Sequence, residues 1–442
     1  MPTATKRTEQ IIDVMGDAFA PLMAADPLAF RTKFRKMAAD PHAFYRGTAC
    51  LFYADVTGAD LSRADEPYVD EESSRILIHG DLHAENFGTY LNSDGRLVFD
   101  VNDFDEAYIG HYTWDLKRFA ASLALLGWQK ALPEAEVRRL VARYVRAYLA
   151  QLNHYLHHDD DQDFALRLDN THGPVQEALM TARTMRRADL LDKLTIKDSA
   201  QRFFRSGPTV RQLTRPERRR VVKAFEGYLE TIPDNKKFDR ALFYDLVDAV
   251  GTSGLGIGSA GLPAYSLLVE GYSQALDNDV VLSMKQANVP AVSRFVDTGE
   301  VDAQFEHEAH RTVISQRALQ AHTDPLLGWT TLDGVGYVIS EVSPYEVDLD
   351  WGALTEPPEL AAVVDLLGRA TAKIHCASDE DSDQDVVDFQ VEHAIAGSLE
   401  GRRRQFTDDV VEFGVSYAQR ARDDYRLFVE AFRENKIGIS AT

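Results

Sequence analysis

Asp81, Asn86, Asp103 and Asp105 lie inside one stretch, residues 76–116, of a chain of 442 residues. Several carboxylates and an amide packed together repel unless a cation sits among them. Hard oxygen ligands of this kind suit Mg²⁺. The elements that would position them are local. Ile76-Leu77-Ile78 is an apolar run that reads as a short buried strand. It delivers His79-Gly80-Asp81-Leu82-His83-Ala84-Glu85-Asn86. A polar turn at Asn92-Ser93-Asp94-Gly95 leads to a second run, Leu97-Val98-Phe99, which delivers Asp100, Asn102, Asp103 and Asp105. A hairpin of the two runs would bring Asp81, Asn86 and Asp103 to one end.

These residues carry a resemblance. His79-Gly80-Asp81-Leu82-His83-x-x-Asn86 resembles the catalytic loop of the aminoglycoside-phosphotransferase branch of kinase-like enzymes, and Asp103-Phe104-Asp105 resembles the metal-binding Asp motif of that fold. Gly110 and Trp114-Asp115-Leu116 match the small residue and the Asp-Leu that follow it. With Phe44-Tyr45-Arg46-Gly47 upstream, the longer pattern is similar to a bacterial family known as domain of unknown function 2252. The kinase resemblance implies ATP and Mg²⁺ as cofactors. Phosphoryl transfer needs positioning and positive charge more than covalent help. Asp81 would orient the acceptor hydroxyl, with His79 and Asn86 in the same catalytic loop. Asn86 and Asp103 would hold Mg²⁺, Asp105 would be an extra ligand or lie behind the ligands, and Asp115 would brace the loop. A metallophosphoesterase also uses Gly-Asp and His, but its upstream Asp-x-His and downstream Gly-Asn-His are absent.

Composition narrows the class. Apolar residues are 45%, enough for a substantial core, and 48 basic against 70 acidic residues give a net charge of −22. Such a surface repels nucleic acid and anionic membrane. No run reaches the ~18 apolar residues that span a bilayer, and the N-terminus lacks the apolar core of a secretory signal. Cys50 and Cys376 form no metal or disulfide pattern. A cytoplasmic protein is the expectation.

Residues 1–75 read as helical, with Arg46 as a possible phosphate or carboxylate fork or a structural ion pair. Residues 115–245 also read as helices, the clearest over roughly 134–156, where Val137, Leu140, Val141, Tyr144 and Tyr148 form a stripe. The His157-His158-Asp159-Asp160-Asp161 run reads as a hydrated loop, and the basic residues of 183–220 as a solvated helix face.

From 250 the composition changes. Gly256-x-Gly258-Ser259-x-Gly261 precedes a strand at Tyr265–Val269, a turn at Asp277-Asn278-Asp279, and a strand ending in Lys285. A dinucleotide-binding unit would put a helix after the glycines. Strand, glycine loop, strand, turn and strand with lysine instead resemble the phosphate-cradling lobe of a kinase. The resemblance implies that Gly256, Gly258, Ser259 and Gly261 approach phosphate and that Lys285 reaches it. A helix over 302–321 would offer Glu306 or Glu308 to Lys285. Two strands over 326–342 would end at Glu341-Val342-Ser343, a hinge for adenine. A helix at 358–377 ends in Ile374-His375-Cys376 and would lie beside Ile78.

The glycine loop follows the His-Gly-Asp loop by about 170 residues, the reverse of ordinary kinases. The expectation is therefore an α+β, two-lobed, protein-kinase-like fold, circularly permuted, with a mainly helical large lobe and a small antiparallel-sheet nucleotide lobe. Its segments are a helical 1–75, a catalytic 76–245, a nucleotide-binding 246–350 and C-terminal helices over 351–442. The activity implied is ATP- and Mg²⁺-dependent transfer of phosphate to a hydroxyl of an unidentified acceptor. The alternatives are AMP transfer from the same site and a nucleotide-binding pseudokinase.

Overall fold

A computed structural model describes residues 4–58, 61–198, 200–237, 243–253 and 262–437. Four helices open the chain: α1 (Ala4–Ala25), α2 (Pro27–Met37), α3 (Pro41–Arg46) and α4 (Ala49–Val56). Asp26 and Asp40 start α2 and α3 by accepting from the N–H three residues on, each ahead of a proline that fits the first helical turn. Strands β1 (Ile76–Ile78), β2 (Phe87–Leu91), β3 (Leu97–Val101) and β4 (Tyr108–Gly110) then frame the aspartate-bearing loops. The turn at Asn92–Gly95 forms, with Asn92 Oδ1 accepting from the Asp94 and Arg96 N–H groups. It joins β2 to β3 rather than β1 to β3. Phe87–Leu91 runs directly into the turn and takes β3 as its partner. β1 pairs antiparallel with β4 instead, Ile78 opposite Tyr108.

Helices α5 (Tyr112–Gln129), α6 (Glu134–Tyr155), α7 (Gly173–Thr184) and α8 (Arg187–Leu194) follow. The expected stripe of α6 is buried. Residues 115–245 are not all helical, however. β5 (Thr195–Lys197), β6 (Arg202–Phe204) and β7 (Val210–Gln212) precede α9 (Arg215–Leu229). These strands are three residues long and each carries a basic residue, exposed in Lys197 and Arg211 and buried in Arg202, so no alternating apolar pattern marks them. β8 (Leu246–Thr252), β9 (Ala264–Val269), β10 (Val280–Gln286), β11 (Gly328–Leu332) and β12 (Val335–Glu341) complete an antiparallel sheet in the order β11-β12-β10-β9-β8-β7. The short α10 (Gly299–Asp302) and α11 (Glu308–Gln320) lie between β10 and β11. α11 starts six residues later than the sequence suggests because His307 caps it, its Nδ1 accepting from His310 N–H at 3.1 Å. α12 (Pro357–Cys376), α13 (Val391–Ser398) and α14 (Arg403–Arg433) end the described chain.

Period-two alternation gives the sheet two apolar faces. Leu267, Val269, Val280, Leu282 and Met284 pack with Val221, Phe225 and Tyr228 of α9. Leu268 and Val281 face the other way, onto Leu191 and Phe204. The helices and β1–β3 enclose a separate, larger core. Gly368 lets α12 press against α6, since a Cβ there would lie 2.4 Å from the Tyr144 carbonyl oxygen. α11 links the two units: it packs on β11 and β12, and Ala318 and Leu319 at its end enter the large core. Among the described residues no helix is long and apolar enough to cross a membrane.

Candidate functional site

The loop after β1 is held from behind by Asp115, fully buried in the first turn of α5. Its two oxygens accept from the His79 N–H at 2.7 Å and the Gly80 N–H at 3.0 Å. His375, near the end of α12, meets the same carboxylate at 3.2 Å, and α12 packs beside β1. Gly80 has φ +82°, and a Cβ there would sit 2.0 Å from the Glu106 carbonyl oxygen, so only glycine fits. His79 is also fully buried. Its Nε2–H donates to the Asn102 carbonyl at 2.8 Å while Nδ1 accepts from the Asp81 N–H at 3.3 Å. With both ring nitrogens engaged, His79 ties the Asp81 loop to the Asp103 loop as a positioning residue.

The two loops thus meet. Asn86 Nδ2 donates to the Asp81 carbonyl at 3.0 Å, and the Asn102 N–H donates to the Asn86 carbonyl at 3.0 Å. Asp103 has φ +60°, a left-handed conformation that a non-glycine residue adopts at a cost and that recurs at functional sites. Asp81 is held by Arg118 of α5, whose Nε donates to Asp81 Oδ1 at 2.6 Å; that guanidinium is fully buried. Burial pushes the Asp81 carboxyl above the ordinary range, Arg118 opposes, and Asp103 adds to the rise. Burial and the charge of Asp103 push Asp105 up to about 6, with Lys285 acting against them. Glu106 is pushed up to about 7 by burial and by Asp81.

Lys285 comes from the sheet. It is exposed near the end of β10, opposite Val338 of β12 and Ala264 of β9. Its charge stabilises the ionised forms of both Asp105 and Glu346, and Glu346 in turn feels Asp103. The strand lysine and the aspartate loop therefore share one electrostatic space, although β10 and β3 lie far apart in the chain. Among the described residues Lys285 has no ion-pair partner. Glu308 is not that partner. It accepts from Arg311 Nε at 2.7 Å, one turn along its own helix. Arg311 is buried and also donates to the Asp105 carbonyl at 2.8 Å and the Asn288 carbonyl at 3.0 Å. Glu341 pairs with Arg187, and burial pushes its carboxyl up to about 7. The Glu341 N–H donates to Asp324 and the Val342 N–H to the Val281 carbonyl. Those two N–H groups are spent inside the protein, so a hinge contact to a base would fall to Ser343 or to carbonyl oxygens. Gly256, Gly258, Ser259 and Gly261 lie outside the described residues.

On the other flank of the Asp81 loop, His42, Arg46, Glu85, Lys130 and Trp351 line a recess of about 530 Å³. Trp351 Nε1 donates to the Ala84 carbonyl at 2.8 Å, and Arg46 pairs with Glu85. Arg46 thus makes an ion pair while still lining the recess. The segment after β12 closes this flank: Val347 and Thr89 exchange hydrogen bonds across β2, and Asp348 feels Glu85 and Arg46.

Sequence reasoning missed Arg118, Arg311, Glu346 and Asp348. A signal for Arg118 exists: it stands three residues after Asp115 at the head of an otherwise apolar helix, so both must be buried on one face. Among the described residues no three His, Cys, Asp or Glu side chains form a ready cage for an ion.

The architecture defines a mixed α+β protein with a helical body, a small antiparallel sheet and a carboxylate-rich loop pair that feels the charge of a strand lysine. The chain belongs to the family described as "Uncharacterized protein conserved in bacteria (DUF2252)", which matches residues 25–431. No curated protein and no solved structure matches it.

Proposed function

We propose that the protein is an ATP- and Mg²⁺-dependent phosphotransferase of kinase-like type with its two lobes in permuted order. The observation that carries this reading is that Lys285, on a strand that follows the Asp81 loop in the chain, favours the ionised forms of Asp105 and Glu346 by its charge. Lys285 would draw in the phosphates from the sheet side. Asn86 Oδ1, left over once Nδ2 is committed to the Asp81 carbonyl, and the Asp103 carboxylate would hold Mg²⁺. The donor set fits that ion, which is bound by one or two protein oxygens and completed by phosphate and water. When bound, the metal would neutralise charge gathering on the transferring group. Asp81 would orient the acceptor hydroxyl, entering by the recess beside Glu85, and Arg118 would keep the carboxylate ionised and aimed. Asp105, pushed upward by burial and then by Asp103, would gain from a nearby cation, consistent with an accessory place at the metal.

A second reading draws on the same Arg118. A carboxylate already held by a buried guanidinium is a weaker base, which favours a nucleotide-binding protein that signals without transfer. Parallel incubations with Mg²⁺ and γ-labelled or α-labelled ATP distinguish the readings. Transfer of the γ-label to an acceptor, or its release as orthophosphate, lost in Asp81→Asn, supports the phosphotransferase. Tight ATP binding without turnover supports the second reading, and label retained only from the α position indicates AMP transfer.

A further inference from the structure

Behind β3, on the side away from the Asp81 loop, lies a separate cavity of about 290 Å³. Its floor is built from ion-paired and hydrogen-bonded groups. Lys373 of α12 and Asp100 of β3 pair while almost fully buried, and Lys373 also donates to the Gln320 carbonyl at 3.1 Å. Gln320 Nε2 donates to the Val101 carbonyl at 2.8 Å. The floor is therefore the back of the strand that delivers Asn102 and Asp103, together with the end of the helix whose start holds the Asp105 carbonyl through Arg311.

The walls carry both charges. Arg96, in the turn between β2 and β3, makes no ion pair through its guanidinium among the described residues. Arg167 has a buried Nε with no hydrogen-bond partner and stands 3.8 Å from Asp169. On the acidic side, Asp94 and Asp163 converge on His322, at 3.5 Å and 3.7 Å from its two ring nitrogens. Both guanidiniums line the cavity. A lone dianion would satisfy them but meet two carboxylates at the same mouth. A lone cation would meet the reverse mismatch. A ligand bearing a carboxylate and an ammonium satisfies both, and the volume suits a single small molecule.

We propose that this cavity binds a small zwitterion of the α-amino-acid class, its carboxylate on Arg96 and Arg167 and its ammonium on Asp94 and Asp163. Occupancy bears on Val101 and Gln320 from behind and so steadies the Asn102–Ala107 loop. The site is a control point on the aspartate loop, distinct from the recess beside Glu85.

The test uses the full chain without nucleotide, so its outcome does not depend on phosphate transfer. The twenty free amino acids and inorganic phosphate are screened by thermal shift, and any hit is titrated by calorimetry. Amide hydrogen exchange of residues 101–107 is followed with and without it. The proposal predicts saturable binding of at least one amino acid, weakened tenfold or more in Arg96→Ala and in Asp163→Asn, with slowed exchange over 101–107. Both variants sit on exposed side chains, and the one polar side-chain contact of these two among the described residues is that of Asp163 with His322. Binding of phosphate alone, no binding by any amino acid, or affinity unchanged in both variants overturns the site. Binding that leaves exchange over 101–107 unchanged overturns the control of the loop.

Discussion

At the scale of single residues, the pairing of Asp81 with Arg118 decides how the loop behaves. A largely buried carboxylate that loses its hydrogen-bonded guanidinium carries a large penalty, because the remaining charge stays out of water. Arg118→Met should therefore cost about 3 kcal/mol of stability in a denaturant titration. The double variant with Asp81→Asn should recover part of that loss; strictly additive costs would contradict the pairing. Asp81→Asn alone should lower turnover by orders of magnitude with nucleotide affinity nearly intact, and wild-type turnover would remove Asp81 from the chemistry. Lys33 of α2 offers a test of pH dependence, with Cys50, Glu106 and Asp81 opposing the effect of its burial. Buried under the rings of Phe19 and Phe30, its ammonium is pushed down to about 8 by burial, against an unfolded value of 10.5. Between those values the unfolded chain binds more protons, so stability rises with pH there, and the burial penalty is felt fully below pH 8. Lys33→Met should stabilise the protein by about 2 kcal/mol at pH 7 and by little above pH 10.5. A gain equal at both pH values would contradict this origin.

Among the elements, α11 has the widest reach. Its start grips the Asp105 and Asn288 carbonyls through Arg311, and its end enters the large core and the cavity behind β3. Arg311→Met should loosen the Asp103–Ala107 loop and weaken Mg²⁺–ATP binding about tenfold, a loss of about 1.4 kcal/mol. Unchanged affinity would show that the loop is fixed without α11. Much of this scaffold was legible in the sequence. The α6 stripe, the hairpin turn at Asn92–Gly95, the strands up to Lys285, the Asp333-Gly334 turn between β11 and β12, and the helix ending at Cys376 all left periodic or turn signatures. What was not legible has physical reasons. β1 was assigned the wrong neighbour because pairing partners depend on long-range contacts rather than on local pattern. β5–β7 are too short and too basic to alternate visibly. Glu308 resembled a partner for Lys285, yet Arg311 three residues on captures it first.

Across the whole molecule, the ends of the described chain are stitched together. Arg7 of α1 donates to Asp55 at 2.7 Å and 2.8 Å and to Asp424 of α14 at 2.8 Å, all three buried. Arg7→Met should destabilise the helical body by about 3 kcal/mol, because Asp424 loses its ion pair and Asp55 keeps only Arg420 at 3.5 Å and the Tyr417 hydroxyl. Replacing Asp55 and Asp424 as well should restore much of it, and a minor effect of the single change would argue against this clasp. The sheet keeps its own cores on both faces, so its strand lysine can approach the helical body's aspartates as part of a separate unit. The most direct measurement is calorimetric titration of ATP, with and without Mg²⁺, into the wild type, Lys285→Ala, Asp103→Asn and the double variant. Saturable, Mg²⁺-dependent binding is predicted, weakened at least tenfold by each single change, with the double variant losing less than the product of the two. No binding by the wild type, or affinities untouched by either change, would contradict a triphosphate held between Lys285 and Asp103.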